Sequence, residues 1–123
     1  MCVLAAIFPS ALHAQNLHIP NEGIAGLGMV ECEQIVQWDE QNTSMHYLVG
    51  WVHGWWTGYN LYLAEKGKPL RDTQSDGDGV TSLHGLERII VGHCVTEPDS
   101  PLVKVAADIF DLLPELDPTV PTQ

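Results

Sequence analysis

The residues best equipped for chemistry are few: the cysteines Cys32 and Cys94, the histidines His46, His53, His84 and His93, the aspartates around Gly77, and scattered serines. A metal site needs ligands at fixed spacing, such as HxxxH or HExxH on one helix. His46 and His53 stand seven residues apart and share a helix face, but no such pair occurs, so no metal is expected. Imidazole gains charge between about pH 7 and 5, which makes the four histidines candidate pH-sensing groups. Asp72, Asp76, Gly77 and Asp78 invite comparison with a calcium loop. Counted from Asp72, the third position is Gln74 and the twelfth is Leu83, where a bidentate glutamate belongs; counted from Asp76, the fifth is Val80. A solvated turn is the expectation. Ser44, Ser75, Ser82 and Ser100 lack a GxSxG turn, and no glycine-rich phosphate loop follows a strand. The sequence therefore predicts no catalytic residue, no cofactor and no enzyme.

A binding chemistry is what remains. In GWVHGWWTGYNLY, which opens at Gly50, every fourth residue up to Gly58 is glycine in what otherwise reads as a helix. Each interior glycine costs about 1 kcal/mol against alanine, so something must offset the loss. Gly50, Gly54 and Gly58 form one smooth strip that lets another helix approach closely, while Trp51, Trp55, Tyr59 and Tyr62 follow each other along the adjacent side. Two readings stand. The helix is the core of a small bundle, or Trp51, Trp55, Trp56, Tyr59 and Tyr62 form a partner-binding face.

The elements that must position these residues follow from composition and punctuation. With 123 residues the chain is one domain, and 45% hydrophobic against 17% charged residues argues for a folded globule. Its net charge of −11, from 16 carboxylates against five Lys and Arg, would be repelled by nucleic-acid phosphate. Residues 1–14, MCVLAAIFPSALHA, are small and apolar and are followed by polar Gln15 and Asn16, so they are expected to be the end of a secretory signal peptide whose basic start is missing. Loss of Cys2 with that leader leaves Cys32 and Cys94, most simply one disulfide in an oxidising compartment such as the periplasm. No stretch is apolar for long enough to span a membrane.

Residues 15–29 read as an extended lead-in and 30–113 as a helical domain. A first helix is expected near Val30, with Ile35, Val36 and Trp38 inward. A long helix follows, capped by Thr43 or Ser44 and ending at Lys66 before Gly67 and Pro69. Leu70 to Ser82 is a loop, and Leu83 to His93 a third helix with Leu83, Leu86, Ile89 and Ile90 at helical spacing. Ser100 as the cap and Pro101 at the first helical position open a last helix lined by Leu102, Val105, Ile109 and Leu112. Residues 114–123 read as a mobile tail. The fold class expected is all-α, a small bundle of about four helices with one disulfide.

Cys32-Glu33-Gln34-Ile35-Val36-Gln37-Trp38-Asp39-Glu40, then Val49-Gly50-Trp51, then Ile89-Ile90-Val91-Gly92-His93-Cys94 with a helix after it, resembles the HdeA/HdeB family of small periplasmic acid-stress chaperones over roughly Glu31 to Leu113. The resemblance implies a Cys32–Cys94 disulfide, a homodimer at neutral pH, and loosening in acid to hold unfolding clients. The glycine triplet and the Trp55-Trp56 pair lie outside that pattern. Full protonation would carry the chain, shorn of its leader, from −11 to +10, which fits an acid trigger. The alternative function is a specific protein-binding module: the Gly-aromatic-x-x-Gly step Gly50-Trp51-Val52-His53-Gly54 resembles one found in small exported immunity proteins against type VI secretion effectors, and an acidic face would suit a basic toxin.

Overall fold

A computed structural model describes residues 26–74 and 82–116. They form an all-α bundle of four helices: α1 (Cys32–Glu40), α2 (His46–Glu65), α3 (Leu83–Thr96) and α4 (Leu102–Leu112). A short 3-10 helix, Gly26–Met29, precedes them, so the end of the lead-in is turned, not extended. Helix α1 packs on α3, and α2 packs against both α3 and α4. Ile35, Leu48, Val52, Trp56, Leu86, Ile90, Leu102, Ile109 and Phe110 meet in one core.

The disulfide Cys32–Cys94 joins the first turn of α1 to the last turn of α3 across 62 residues, and both cysteines are fully buried. The first helix starts at Cys32 and not Val30 because the backbone there is engaged elsewhere. Leu102 donates its N–H to the Val30 carbonyl at 2.9 Å and Cys32 donates to the Ser100 carbonyl at 2.8 Å, which holds Glu31 extended beside Pro101. That pairing also fixes the start of α4. Pro101 occupies the capping position itself, and Ser100, expected as the cap, turns its hydroxyl to the Glu97 carboxylate at 3.1 Å.

Helix α2 begins without Thr43 or Ser44 as its cap. Met45 takes that position with no side-chain bond, and burial of its thioether in the core replaces the capping hydroxyl. Thr43 instead closes α1: its N–H donates to the Trp38 carbonyl at 2.9 Å after Asn42 turns left-handed, at φ 58°. At the other end Gly67, at φ 67°, stops α2 where the sequence places the stop. Ser82 caps α3 by accepting the Gly85 N–H at 3.1 Å, and the helix runs past His93 to Thr96 before Pro98.

Leu112, expected inside, is 74% exposed, and Leu113 is buried instead. Eleven residues are close to three turns, so Leu113 returns to the line of Leu102, whereas Leu112 falls about 80° to the side. Residues 114–116, assigned to a mobile tail, are pinned. Asp72 donates its N–H to the Pro114 carbonyl at 2.8 Å and Leu116 donates to Leu70 at 2.7 Å, while the Arg71 guanidinium donates to the Leu113 and Asp111 carbonyls at the end of α4. Asp76, Gly77 and Asp78, considered for calcium, lie outside the described residues, as do the leader and residues 15–25.

Candidate binding face

From His46 to Ala64 helix α2 contains no Asp, Glu, Lys or Arg, in a chain with 16 carboxylates. Its inner line is Leu48, Val49, Val52, Trp56 and Leu63, all buried. Trp56, expected with the binding residues, is therefore corrected to core: it is 0% exposed, and its indole N–H donates to the Ala106 carbonyl of α4 at 2.9 Å. The signal was present in the sequence, since Val49, Val52, Trp56 and Leu63 recur at helical spacing, whereas Trp55 stands about 100° away.

Opposite that line lie Gly50, Gly54 and Gly58, all exposed, and a Cβ built on any of them meets nothing within 4 Å. The expected close approach of another helix of the same chain to the glycine strip is thus absent among the described residues. Tyr47 and Leu61, which sequence reasoning passed over, share this outer face and are 53% and 65% exposed. Being an isolated Tyr and Leu in an apolar helix, they carried no local mark distinguishing outer from inner.

The aromatic side of the helix is built as a ladder. Trp55 stacks on Tyr59 with ring centroids 5.3 Å apart, Tyr59 stacks on Tyr62 at 5.8 Å, and the Lys66 ammonium sits 5.6 Å from the Tyr62 ring centre. Phe110 of α4 supports the ladder edge-on, 5.0 Å from Tyr59 and 6.4 Å from Trp55. Trp51 and Trp55 are half-buried against the core and Tyr62 is 49% exposed. Trp55, Gly58, Tyr59 and Tyr62 line an open cleft of about 290 Å³. Because the rings stack on one another, they offer mainly edges and hydroxyls to a ligand, a surface suited to irregular apolar chain and not to a single flat ring.

The four histidines do not come together. His46 and His84 are exposed near helix starts, and His53 lies edge-on to Trp56 at 5.2 Å. His93 joins Glu97 and Asp108, with ligand atoms of the three within 4.8 Å of one another. Lys104 already sits among these carboxylates, 3.2 Å from Glu97 and 2.8 Å from Asp108, so a metal ion would have to displace its ammonium. Lys104, then Ser100, hydrogen-bond the Glu97 carboxylate and hold it below its ordinary value; Asp108 foremost raises Lys104. A second ion pair, Arg88 with Asp39, ties α3 to α1 and raises the guanidinium. No family model matches the chain, and no curated protein or solved structure matches it.

Proposed function

We propose that this chain is an exported, non-enzymatic holdase that binds apolar segments of acid-unfolded periplasmic proteins on the outer face of α2. The observation that carries the reading is the run from His46 to Ala64 without Asp, Glu, Lys or Arg, with Tyr47, Leu61 and Tyr62 exposed on it, in a chain of net charge −11. The outer line Tyr47, Gly50, Gly54, Gly58 and Leu61 bears no carboxylate or imidazole and keeps its apolar character as pH falls, while the carboxylate-rich surface reverses sign and His46 and His53 stand to one side of that line. It also lacks the charges by which one partner is chosen over another, which favours many clients over one. The buried Cys32–Cys94 bond suits an oxidising compartment. The HdeA/HdeB resemblance points the same way.

The second reading, a module for one specific protein such as a secreted effector, draws on a different observation: among the described residues, none covers the face. One experiment separates the two. Light scattering of a purified acid-labile protein is followed from pH 7 to pH 2 and back, with and without the oxidised chain and its Leu61→Lys and Tyr62→Lys variants. The holdase suppresses aggregation near equimolar ratio, and both lysine variants lose the effect. Absence of suppression by the folded wild-type chain rejects the holdase, and a stoichiometric complex at neutral pH then supports the single-partner module.

A further inference from the structure

Asn42, Thr43 and Ser44, in the turn between α1 and α2, spell Asn-x-Ser with a residue other than proline in the middle, the acceptor pattern for an N-linked glycan. The chain's other asparagines, Asn16, Asn21 and Asn60, are followed two residues on by His18, Gly23 and Tyr62 and do not qualify. Glu40 adds a carboxylate two residues ahead of Asn42, a feature that periplasmic bacterial oligosaccharyltransferases read as well.

Local structure accounts for part of this pattern and leaves part of it over. A left-handed residue ends α1, and Asn42 at φ 58° supplies it, with its N–H donating to the Asp39 carbonyl at 3.0 Å. That turn asks nothing of residue 44. Capping of α2 would explain a hydroxyl at Ser44, but Met45 holds the cap position and no side chain bonds there. Gln41, Asn42, Thr43 and Ser44 are all exposed, and the turn is held through its backbone, by the Asn42 bond and by the one from Thr43 to Trp38. The core resumes at Met45, which is buried. An enzyme can therefore reach both the amide and the hydroxyl in the folded, oxidised chain, and a glycan attached there displaces no core residue.

We propose that Asn42 is the acceptor of an N-linked oligosaccharide delivered from a lipid-diphosphate donor. The proposal rests on the export in the reading above and not on client binding. The Asn42 Nδ2 attacks the anomeric carbon of the donor sugar and forms the N–C bond. The bond from that carbon to the diphosphate oxygen breaks, its electron pair leaves with the lipid diphosphate, and one amide proton passes to a base on the transferase. The Ser44 hydroxyl is the group by which the transferase recognises the acceptor, and Thr43 is the spacer. The position is compatible with the binding face: Leu61 stands fifteen residues beyond His46, about 22 Å along α2, so a glycan ahead of the helix leaves the Leu61 and Tyr62 end open. It also acts where charge fails. On acidification the chain passes through zero net charge near its pI of about 4.6, where self-repulsion vanishes, and a neutral glycan keeps its hydration there.

The test uses the purified, oxidised full chain, a purified bacterial oligosaccharyltransferase and its lipid-diphosphate oligosaccharide, read by intact mass and by peptide mapping. One oligosaccharide is expected per chain, on the peptide that contains Asn42. Ser44→Ala, with Asn42 in place, loses the addition and Ser44→Thr keeps it. Asn42→Gly, which suits the left-handed turn, loses it with helical circular dichroism unchanged. A folded wild-type chain that gains no mass overturns the inference, as does a glycan that persists in Ser44→Ala or maps to another residue. A chain that takes the glycan but suppresses no aggregation removes the holdase and keeps the acceptor. One that suppresses aggregation without accepting a glycan removes the acceptor and keeps the holdase.

Discussion

A methyl group added at Gly54 meets none of the described residues within 4 Å, so backbone entropy decides its effect in the dilute protein. Gly54→Ala should stabilise by about 0.5–1 kcal/mol, a rise of about 2–8 °C in Tm, and a scan at low micromolar concentration checks it. A fall in Tm there would mean that the chain's own residues close over the strip. Trp56, two residues further along the same helix, behaves oppositely. Its ring fills the core and its N–H satisfies the Ala106 carbonyl, so Trp56→Ala should cost about 3–5 kcal/mol in urea unfolding. A cost under about 1 kcal/mol would show the ring is not held there. Trp55 and Trp56 are adjacent and chemically identical, and only their phase on the helix assigns one to the face and the other to the core.

At the scale of elements, the number, order and approximate bounds of the helices were legible, because apolar period, Gly67, Ser82 and Pro98 are local signals. The starts of α1 and α4 were not. They are set by Val30–Cys32 pairing with Ser100–Leu102, a contact between residues about seventy apart that leaves no local mark. The face was half legible: the sequence put the aromatics beside the glycines, but not which side of the helix met solvent. The turn between α3 and α4 carries a pH dependence of definite sign. Glu97 is depressed in the folded chain by Lys104 and then Ser100, so its contribution is complete above the unfolded carboxylate value, about 4.3, and fades as pH falls through the lower folded value. Lys104 and Arg88 are raised, and what they add persists until alkaline pH. Glu97→Gln should therefore lower the urea midpoint at pH 7 and converge with wild type near pH 2. Both Glu97 and Lys104 are more than a third exposed, so screening holds the difference below about 1 kcal/mol. A difference that grew in acid would contradict this assignment.

Over the whole molecule, acid sets charge against the staple. With every carboxylate and histidine protonated, the chain approaches +11 and its surface repels itself, while α2 retains an outer line, Tyr47, Gly50, Gly54, Gly58 and Leu61, that bears no carboxylate or imidazole. What prevents full expansion is the bond between α1 and α3. A loop closed over 62 residues restricts the unfolded chain by about 4 kcal/mol on chain-entropy arguments, independent of pH, because neither sulfur titrates. The Glu97–Lys104 ion pair offers no such insurance, since Glu97 loses its charge as pH falls through its depressed folded value. Oxidised protein taken to about pH 2 should therefore swell only partly in small-angle scattering and recover its radius on neutralisation, whereas the Cys32→Ser, Cys94→Ser double variant should expand toward an unfolded radius of gyration, about 30 Å against about 13 Å for a folded domain of this size. Equal swelling of the two at pH 2 would mean that packing, and not the disulfide, keeps the acid form together, and the α2 face would then have to work on a chain that never loosens.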